Sequence, residues 1–204
     1  MSCKPLILAF DTSVAHIAAA VLAGDQIVAE NTLEMAKGQA ERLFDVLEEL
    51  LQQAGITWSD LNAIGVGIGP GNFTGIRISV SAARGLALAL GVPAVGVSAF
   101  QAQAIDASGP VVSAVPAHRG MVYVQTLTDQ GEGKPELIRL GDLPAYSAGQ
   151  QLIGPDQPLS AAAIARIAAQ RFETPDLPRP APLYVRAPDA APPRDPAPVI
   201  LHDS

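Results

Sequence analysis

The first third of the chain alternates short apolar runs with one helical stripe. Leu6–Phe10, Ile17–Leu22 and Gln26–Leu33 have the length and spacing of strands, and Gly24-Asp25 predicts a hairpin between the last two. The three therefore predict an antiparallel meander. Apolar residues in Met35–Ala54 recur at helical spacing, which predicts one helix with a long apolar face.

A second strand-and-helix unit follows this helix. Ala63–Ile68 predicts a buried strand, and Thr74–Leu90 predicts a helix that ends at Gly91. Ala94–Val97 predicts a further strand and Ala99–Ala107 a short helix. The helix predicted at Thr74–Leu90 carries small residues on every side, which would let another helix approach it closely. These residues are Gly75, Ser79, Ser81, Ala82, Ala83, Gly85, Ala87 and Ala89.

Gly109-Pro110 interrupts the pattern, and a second unit begins. Val111–Val115, Met121–Thr128 and Gln151–Gly154 predict strands, and Ser160–Arg171 predicts an Ala-rich helix capped by Ser160. The later segments are a predicted loop at Glu132–Pro135, a docking segment at Leu183–Arg186 and a proline-rich end.

This order predicts an α/β fold in which a mixed sheet covered by helices is repeated in degraded form. We expect an N-terminal lobe at 1–108, whose two helices carry apolar or small residues on more than one face and so are either core-facing or partner-binding, and a smaller C-terminal lobe at 109–186. A Pro/Ala-rich tail at 187–204 is expected to be flexible.

Composition restricts the function. The chain is 49% hydrophobic and 16% charged, enough for a sizeable core, and its net charge of −7 disfavours stand-alone binding to nucleic acid. A single cysteine, Cys3, excludes an internal disulfide and suits a reducing compartment. Leu6–Phe10 is too short for a signal peptide or a membrane span, so we expect a soluble, cytoplasmic protein with no membrane partner.

Residues 65–77 join an apolar strand, a Gly-Pro-Gly turn and the start of a helix. Backbone N–H groups and the helix dipole make such a turn suitable for phosphate, although no Walker Gly-Lys-Ser/Thr follows. The alternative is structural: a polar turn after a buried strand, and a capped helix with permissive glycines. The predicted degenerate nucleotide or phosphate loop comprises Asp11, Thr12, Ser13, Gly69, Pro70, Gly71, Asn72, Phe73, Thr74 and Gly75.

The sequence offers no catalytic residue and no metal site. His16, His118 and His202 are scattered, and no His-x-x-x-His or His-Glu-x-x-His motif occurs. No serine lies in a Gly-x-Ser-x-Gly motif. A peptidase is therefore unsupported, whereas a stand-alone ATPase or small-molecule kinase stays open as the alternative function.

Several strings resemble the TsaB (YeaZ) family. They lie in Ile7–Ser13, Gly38–Leu43, Gly69–Ile78, Ala83–Ala87 and Pro182–Ala190, and the Gly-Pro-Gly-x-Phe-Thr-Gly-x-Arg string is the most specific. The resemblance implies the actin/hexokinase/Hsp70-like ATPase fold, built from two ribonuclease-H-like lobes, here with the second lobe trimmed. It also implies a role in making N6-threonylcarbamoyladenosine at position 37 of tRNA.

In that family TsaB is not the catalyst; it binds its paralogue TsaD, the transferase, and the small ATPase TsaE joins them. The resemblance implies a TsaD heterodimer, a homodimer when the protein is alone, tRNA contact only through the complex, and no firm cofactor beyond weak ATP or ADP at the partner interface. The expected interface residues are Gln39, Ala40, Leu43, Phe44, Leu47, Arg77, Ser81, Arg84 and Gly85.

The sequence departs from the family pattern at three places. Gln39 stands where His is common, Asn72 stands where Ser is usual, and Pro116–Arg119 replaces an Asp-Ala-Arg corner. The missing acid at that corner weakens any catalytic interpretation of the chain.

Overall fold

A computed structural model gives the fold and describes residues 4–185. Its elements are strands, some in consecutive runs, separated by single helices. In chain order they are β1 (Leu6–Asp11), β2 (His16–Ala23), β3 (Gln26–Glu34), α1 (Gln39–Ala54), β4 (Ala63–Gly67), α2 (Phe73–Leu90), β5 (Ala94–Val97), α3 (Ala99–Gln103), β6 (Val111–Pro116), β7 (Met121–Thr128), β8 (Gly131–Glu132), β9 (Glu136–Arg139), α4 (Leu143–Tyr146), β10 (Gln151–Ile153) and α5 (Ala161–Arg171).

The first sheet has the strand order β3-β2-β1-β4-β5. β1, β2 and β3 pair antiparallel, which confirms the predicted meander, while β4 pairs parallel with both β1 and β5. Parallel neighbours end at the same edge of a sheet. The residues that follow β1 and β4 are therefore brought together, and these are the two predicted loop segments.

Helices cover both faces of this sheet. Alternate side chains of β1 point to opposite faces, so Leu8 and Phe10 pack with α1 and α2 while Ile7 and Ala9 pack with α5. These four side chains are fully buried. The sheet and its helices thus form one core on each face.

The second sheet runs β10-β6-β7-β8, with β9 also paired to β7. Val112 and Ala114 face a core with Val122, Val124 and Leu143. α5 follows this sheet in sequence but packs on the first sheet, where Ile164 and Ala168 are fully buried. The division into lobes at 1–108 and 109–186 stays a prediction.

Predicted helix ends are confirmed where the chemistry is local. α1 ends at Gly55 and α2 at Gly91, both with left-handed backbone (φ 69° and 68°). Ser160 caps α5 by accepting a hydrogen bond from Ala163 N. Cap residues are therefore recognised well from sequence alone.

Some element bounds were wrong. α1 begins at Gln39 rather than Met35, because Gly38 has a left-handed φ of 80° and the Met35 N–H donates to the Ala15 carbonyl instead. α3 ends at Gln103 rather than Ala107. The predicted loop at 132–135 begins inside β8, and β9 and α4 were not predicted. The predicted tail at 187–204, and Arg186 of the docking segment, lie outside the described residues.

Candidate functional site

Asp11 ends β1 and is completely buried. Its Oδ1 accepts hydrogen bonds from the backbone N–H and the hydroxyl of Ser13, both at 2.8 Å, and lies 3.2 Å from Nε2 of His16. A carboxylate only accepts, so this ring nitrogen is the donor. Oδ2 has no hydrogen-bond partner among the described residues. The Asp-Thr-Ser segment is thus a polar turn, and the hydrogen bonds of its Asp11 carboxylate stay within residues 11–16.

The start of α2 packs directly on this turn. Asn72 N donates to the Ser13 carbonyl at 2.6 Å, and the Thr12 hydroxyl donates to the Gly75 carbonyl at 2.7 Å. The Asn72 side chain caps the helix by accepting from Gly75 N at 3.0 Å. The N–H groups of Asn72 and Gly75, which a phosphate at this turn would need, are therefore engaged by the chain itself.

Two glycines make this contact feasible. A Cβ on Gly71 would lie 2.4 Å from the Ser13 carbonyl oxygen, and one on Gly75 would lie 1.9 Å from the Thr12 carbonyl oxygen. Both distances are far shorter than any real contact of a Cβ. These glycines therefore serve the approach of backbone to backbone, and their use by a nucleotide stays a prediction.

The Gly69-Pro70 step completes the turn between β4 and α2. Both residues are buried, their peptide bond is cis, and Gly69 has a positive φ of 92°. The Gly69 carbonyl accepts from Ala99 N at 2.8 Å, which ties the turn to α3. Thr74, by contrast, is exposed and lines a groove of about 470 Å³ between this region and the start of α1.

Gln39 reaches the polar turn from the first residue of α1. Its Nε2 donates to the carbonyls of Val14 and His16 at 2.7 and 2.6 Å and lies 3.5 Å from that of Thr12. The side chain therefore fixes the turn against α1. This is an intramolecular role, and contact of Gln39 with a partner stays a prediction.

Arg77 was predicted to lie at the partner interface, and the structure places it beside two aromatic rings. Its guanidinium carbon lies 3.8 Å from the centroid of the Phe73 ring. Its Nε donates to the Tyr184 hydroxyl at 3.0 Å, and the rings of Phe73 and Tyr184 are 5.0 Å apart. Sequence reasoning missed Tyr184, although it lies inside the predicted docking segment.

The predicted interface divides into exposed and buried residues. Leu43 and Leu47 are 1% and 0% exposed and pack in the core between α1 and the first sheet. Their assignment to a partner surface was wrong, because they lie on the stripe that faces the sheet. The exposed members are Ala40, Phe44, Arg77, Ser81, Arg84 and Gly85.

We call the exposed surface of α1 and α2 the helix-pair face. Leu88, which sequence reasoning missed, is 86% exposed on it, and Phe44 is 50% exposed. Leu88 follows Arg77 by eleven residues, and two residues at this spacing lie on the same side of an α-helix. This spacing could have identified Leu88 from the sequence. A groove of about 440 Å³ on this face is lined by Phe44, Asp45, Glu48, Trp58, Leu86, Ala89 and Leu90.

α2 is also the one helix among residues 4–185 that is long and apolar enough to cross a membrane. Its 18 residues have a mean hydropathy of 1.2, and 28% of them are buried. Length and composition alone are weak evidence, because helices of protein cores meet the same criteria. The same composition suits a helix that packs one side on a sheet and the other on a protein.

No metal centre is formed within the described part of the chain, since no three His, Cys, Asp or Glu side chains cluster there. Two ionisable groups within residues 4–185, Asp60 and Tyr146, have clearly shifted pKa values. Hydrogen bonds from the side chain and backbone of Thr57 lower the pKa of Asp60. Burial and a hydrogen bond to Glu136 raise the pKa of Tyr146.

The fold has counterparts in known proteins. The family model described as "TsaD: tRNA N6-adenosine threonylcarbamoyltransferase" matches residues 26–184, well over half of the chain. The solved structure of YeaZ from Pseudomonas aeruginosa superposes with a TM-score of 0.69 at 25% identity, over 88% of this chain and 99% of that one. The molecule is thus an α/β protein of the actin/hexokinase/Hsp70-like ATPase type with two mixed sheets, as predicted.

Two relatives found by sequence similarity identify the protein family within this fold class. The tRNA threonylcarbamoyladenosine biosynthesis protein TsaB of Buchnera aphidicola is 32% identical over 68% of this chain and 70% of its own length. An uncharacterised protein of Mycobacterium bovis is 30% identical over 91% of this chain and 94% of its own. The chain belongs to the TsaB (YeaZ) family, within the wider family that the TsaD model describes.

Proposed function

We propose that the chain is a non-catalytic subunit of the machinery that makes N6-threonylcarbamoyladenosine in tRNA. In this proposal it acts in the cytoplasm, binds the transferase TsaD through the helix-pair face, and supports TsaD together with TsaE. Contact with tRNA occurs only through the complex. The carrying observation is the helix-pair face itself, which exposes Phe44 and Leu88 in a chain whose relatives are named for this pathway.

The polar turn supports a non-catalytic role. The carboxylate of Asp11 is buried and held by Ser13 and His16, and the start of α2 is engaged by the backbone of the turn. A nucleophile or a metal ligand needs access to its substrate, which a buried and internally bonded group does not offer. A nucleotide between this region and a partner remains a prediction.

The choice of TsaD as partner is supported by family membership. Because the TsaD model matches residues 26–184 of this chain, both helices of the face lie inside the matched region. A transferase of that family should therefore carry an equivalent helix pair on an equivalent sheet. Two such faces can pack against each other as a four-helix bundle, and two copies of this chain can do the same.

The strength of binding to TsaD tests the proposal. We expect a stable heterodimer by calorimetry and size exclusion, and a homodimer for the protein alone. Leu88→Glu and Ser81→Trp should weaken the heterodimer by at least about tenfold, because a charge or a bulky ring would enter a close apolar contact. Leu140→Glu is the matched control, since Leu140 is 47% exposed but belongs to the turn that directly follows β9 of the second sheet.

Two outcomes would refute the proposal. One is the absence of any complex between the folded wild-type chain and its TsaD. The other is unchanged binding in a folded Leu88→Glu variant, which would exclude the helix-pair face. Leu47→Glu is not a suitable probe, because Leu47 is 0% exposed and its substitution would act on folding.

The pathway is tested in the cell. Deletion of the gene, followed by mass spectrometry of tRNA nucleosides, should show loss of threonylcarbamoyladenosine that this chain restores. Retention of the nucleoside would contradict the proposal. Micromolar binding and turnover of ATP·Mg by the lone protein would instead support the stand-alone ATPase or kinase.

A further inference from the structure

The segment before residue 186 is anchored on both sheets, and we call residues 180–185 the C-terminal strap. The Leu183 N–H donates to the Ile68 carbonyl at 2.8 Å, just after β4. The Leu183 side chain packs in a cluster with Phe100 and Val115 of α3 and the second sheet. The strap thus delivers Tyr184 to the first turn of α2 from a fixed position.

Tyr184 there meets a residue of the helix-pair face. Arg77 is exposed and begins the stripe that continues through Ser81, Arg84 and Leu88, at intervals of four, seven and eleven residues. Its guanidinium stacks on Phe73 and its Nε is held by the Tyr184 hydroxyl. The side chain is therefore ordered before any partner arrives.

The guanidinium keeps part of its binding capacity. Within residues 4–185, no carboxylate lies within 4.0 Å of Arg77 to form an ion pair. Stacking on a ring and one bond at Nε leave the two terminal nitrogens to face a planar acceptor such as a carboxylate. An arginine that is ordered in advance loses less conformational entropy on binding.

We infer that Tyr184 is a positioning residue that presents Arg77 to a carboxylate on the docking partner. This rests on the proposed function, in which the helix-pair face binds the transferase. The strap thereby links the second sheet to the docking face. The inference adds both a specific residue and the chemistry of its counterpart, an acidic side chain opposite the first turn of α2.

Binding to TsaD should report the coupling. We expect Arg77→Ala and Tyr184→Ala each to raise the Kd about tenfold, and Tyr184→Phe about threefold because it keeps the ring and loses the hydroxyl. The double variant, Arg77→Ala with Tyr184→Ala, should bind no worse than Arg77→Ala alone, because both substitutions remove the same contact with the partner. Tyr146→Phe is the matched control, because it removes a hydroxyl bond at 3.0 Å to Glu136.

A second measurement uses the protein alone. The Nε–H resonance of Arg77 should move and exchange faster with water in Tyr184→Phe, while the melting temperature changes little. Salt should weaken wild-type binding more than binding by Arg77→Ala, because an ion pair is screened.

The possible outcomes separate the two proposals. Binding that Tyr184 variants leave unchanged, fully additive effects in the double variant, or an unaltered Arg77 resonance would each overturn the positioning role alone. No binding by the wild-type chain would overturn the proposed function and, with it, the role of Arg77 in docking.

Discussion

Gly85 and Gly75 lie on the same helix, and the structure predicts opposite effects for the same substitution. Gly85 is exposed in the middle of α2, and no atom lies within 4 Å of the position that a Cβ would occupy. Alanine there gains helix propensity without a clash, so Gly85→Ala should stabilise the fold by about 0.5–1 kcal/mol. At Gly75 the added Cβ would lie 1.9 Å from the Thr12 carbonyl oxygen.

Gly75→Ala should therefore destabilise the fold by about 2–4 kcal/mol, because backbone must move on one side of the contact. For a chain of this size, each kcal/mol corresponds to a shift in Tm of roughly 2–4 °C. Urea unfolding followed by circular dichroism measures both variants against wild type. A Gly85→Ala variant that is less stable than wild type, or a neutral Gly75→Ala, would refute the reasoning from packing space.

The Gly85 variant also separates stability from docking. If a partner helix approaches closely at Gly85, Gly85→Ala should weaken binding to TsaD even though it raises the free energy of unfolding. Binding that improves or stays constant would show that the close approach lies elsewhere on the helix-pair face. The same protein sample serves both measurements.

Three further predictions concern polar groups. Asp11→Ala should lower the free energy of unfolding by about 2–3 kcal/mol in urea titrations, because the buried donors of Ser13 and His16 lose their acceptor; a cost below that of the exposed control Asp45→Ala would contradict this. Asn72→Ala should cost about 1 kcal/mol in the same assay through loss of the cap on α2, and an unchanged midpoint would argue against the cap. Asp60 has a lowered pKa when folded, so its contribution to stability is present above the ordinary value of 3.8 and is lost as the pH falls through the folded-state value. Between pH 6 and pH 2 the melting temperature should therefore fall less in Asp60→Asn than in wild type. Parallel curves of melting temperature against pH for the two proteins would contradict this contribution of Asp60.

The sequence predicted elements whose causes are local. Apolar runs and turn residues predict the meander and the strand before the Gly-Pro-Gly turn. Residues typical of helix ends predict the caps at Gly55, Gly91 and Ser160. β9 (Glu-Leu-Ile-Arg) and α4 (Leu-Pro-Ala-Tyr) escaped prediction because each is short and is interrupted by charged residues or proline, whereas the equally short β5 (Ala-Val-Gly-Val) is one continuous apolar run. Such short elements carry too few positions to show a period.

The site depended on contacts that sequence patterns do not encode. Leu43 and Leu47 lie on the apolar stripe of α1 that packs on the first sheet. The sequence pattern alone does not reveal whether such a stripe packs on the chain's own sheet or on a partner protein. The pairing of Asp11 with His16 follows from the tightness of the turn between β1 and β2. Tyr184 reaches Arg77 across 107 positions of chain, and only the fold brings them together.

The position of α5 has a consequence for biosynthesis. One face of the first sheet is closed by a helix that ends at Arg171, more than 60 residues after α3 ends at Gln103. At ribosomal rates of about 5–20 residues per second, that face stays uncovered for roughly 3–14 s after α3 is made. During this interval Ile7, Ala9 and Val95 lack their cover, so the nascent chain is at its most vulnerable to aggregation while the second sheet is being synthesised.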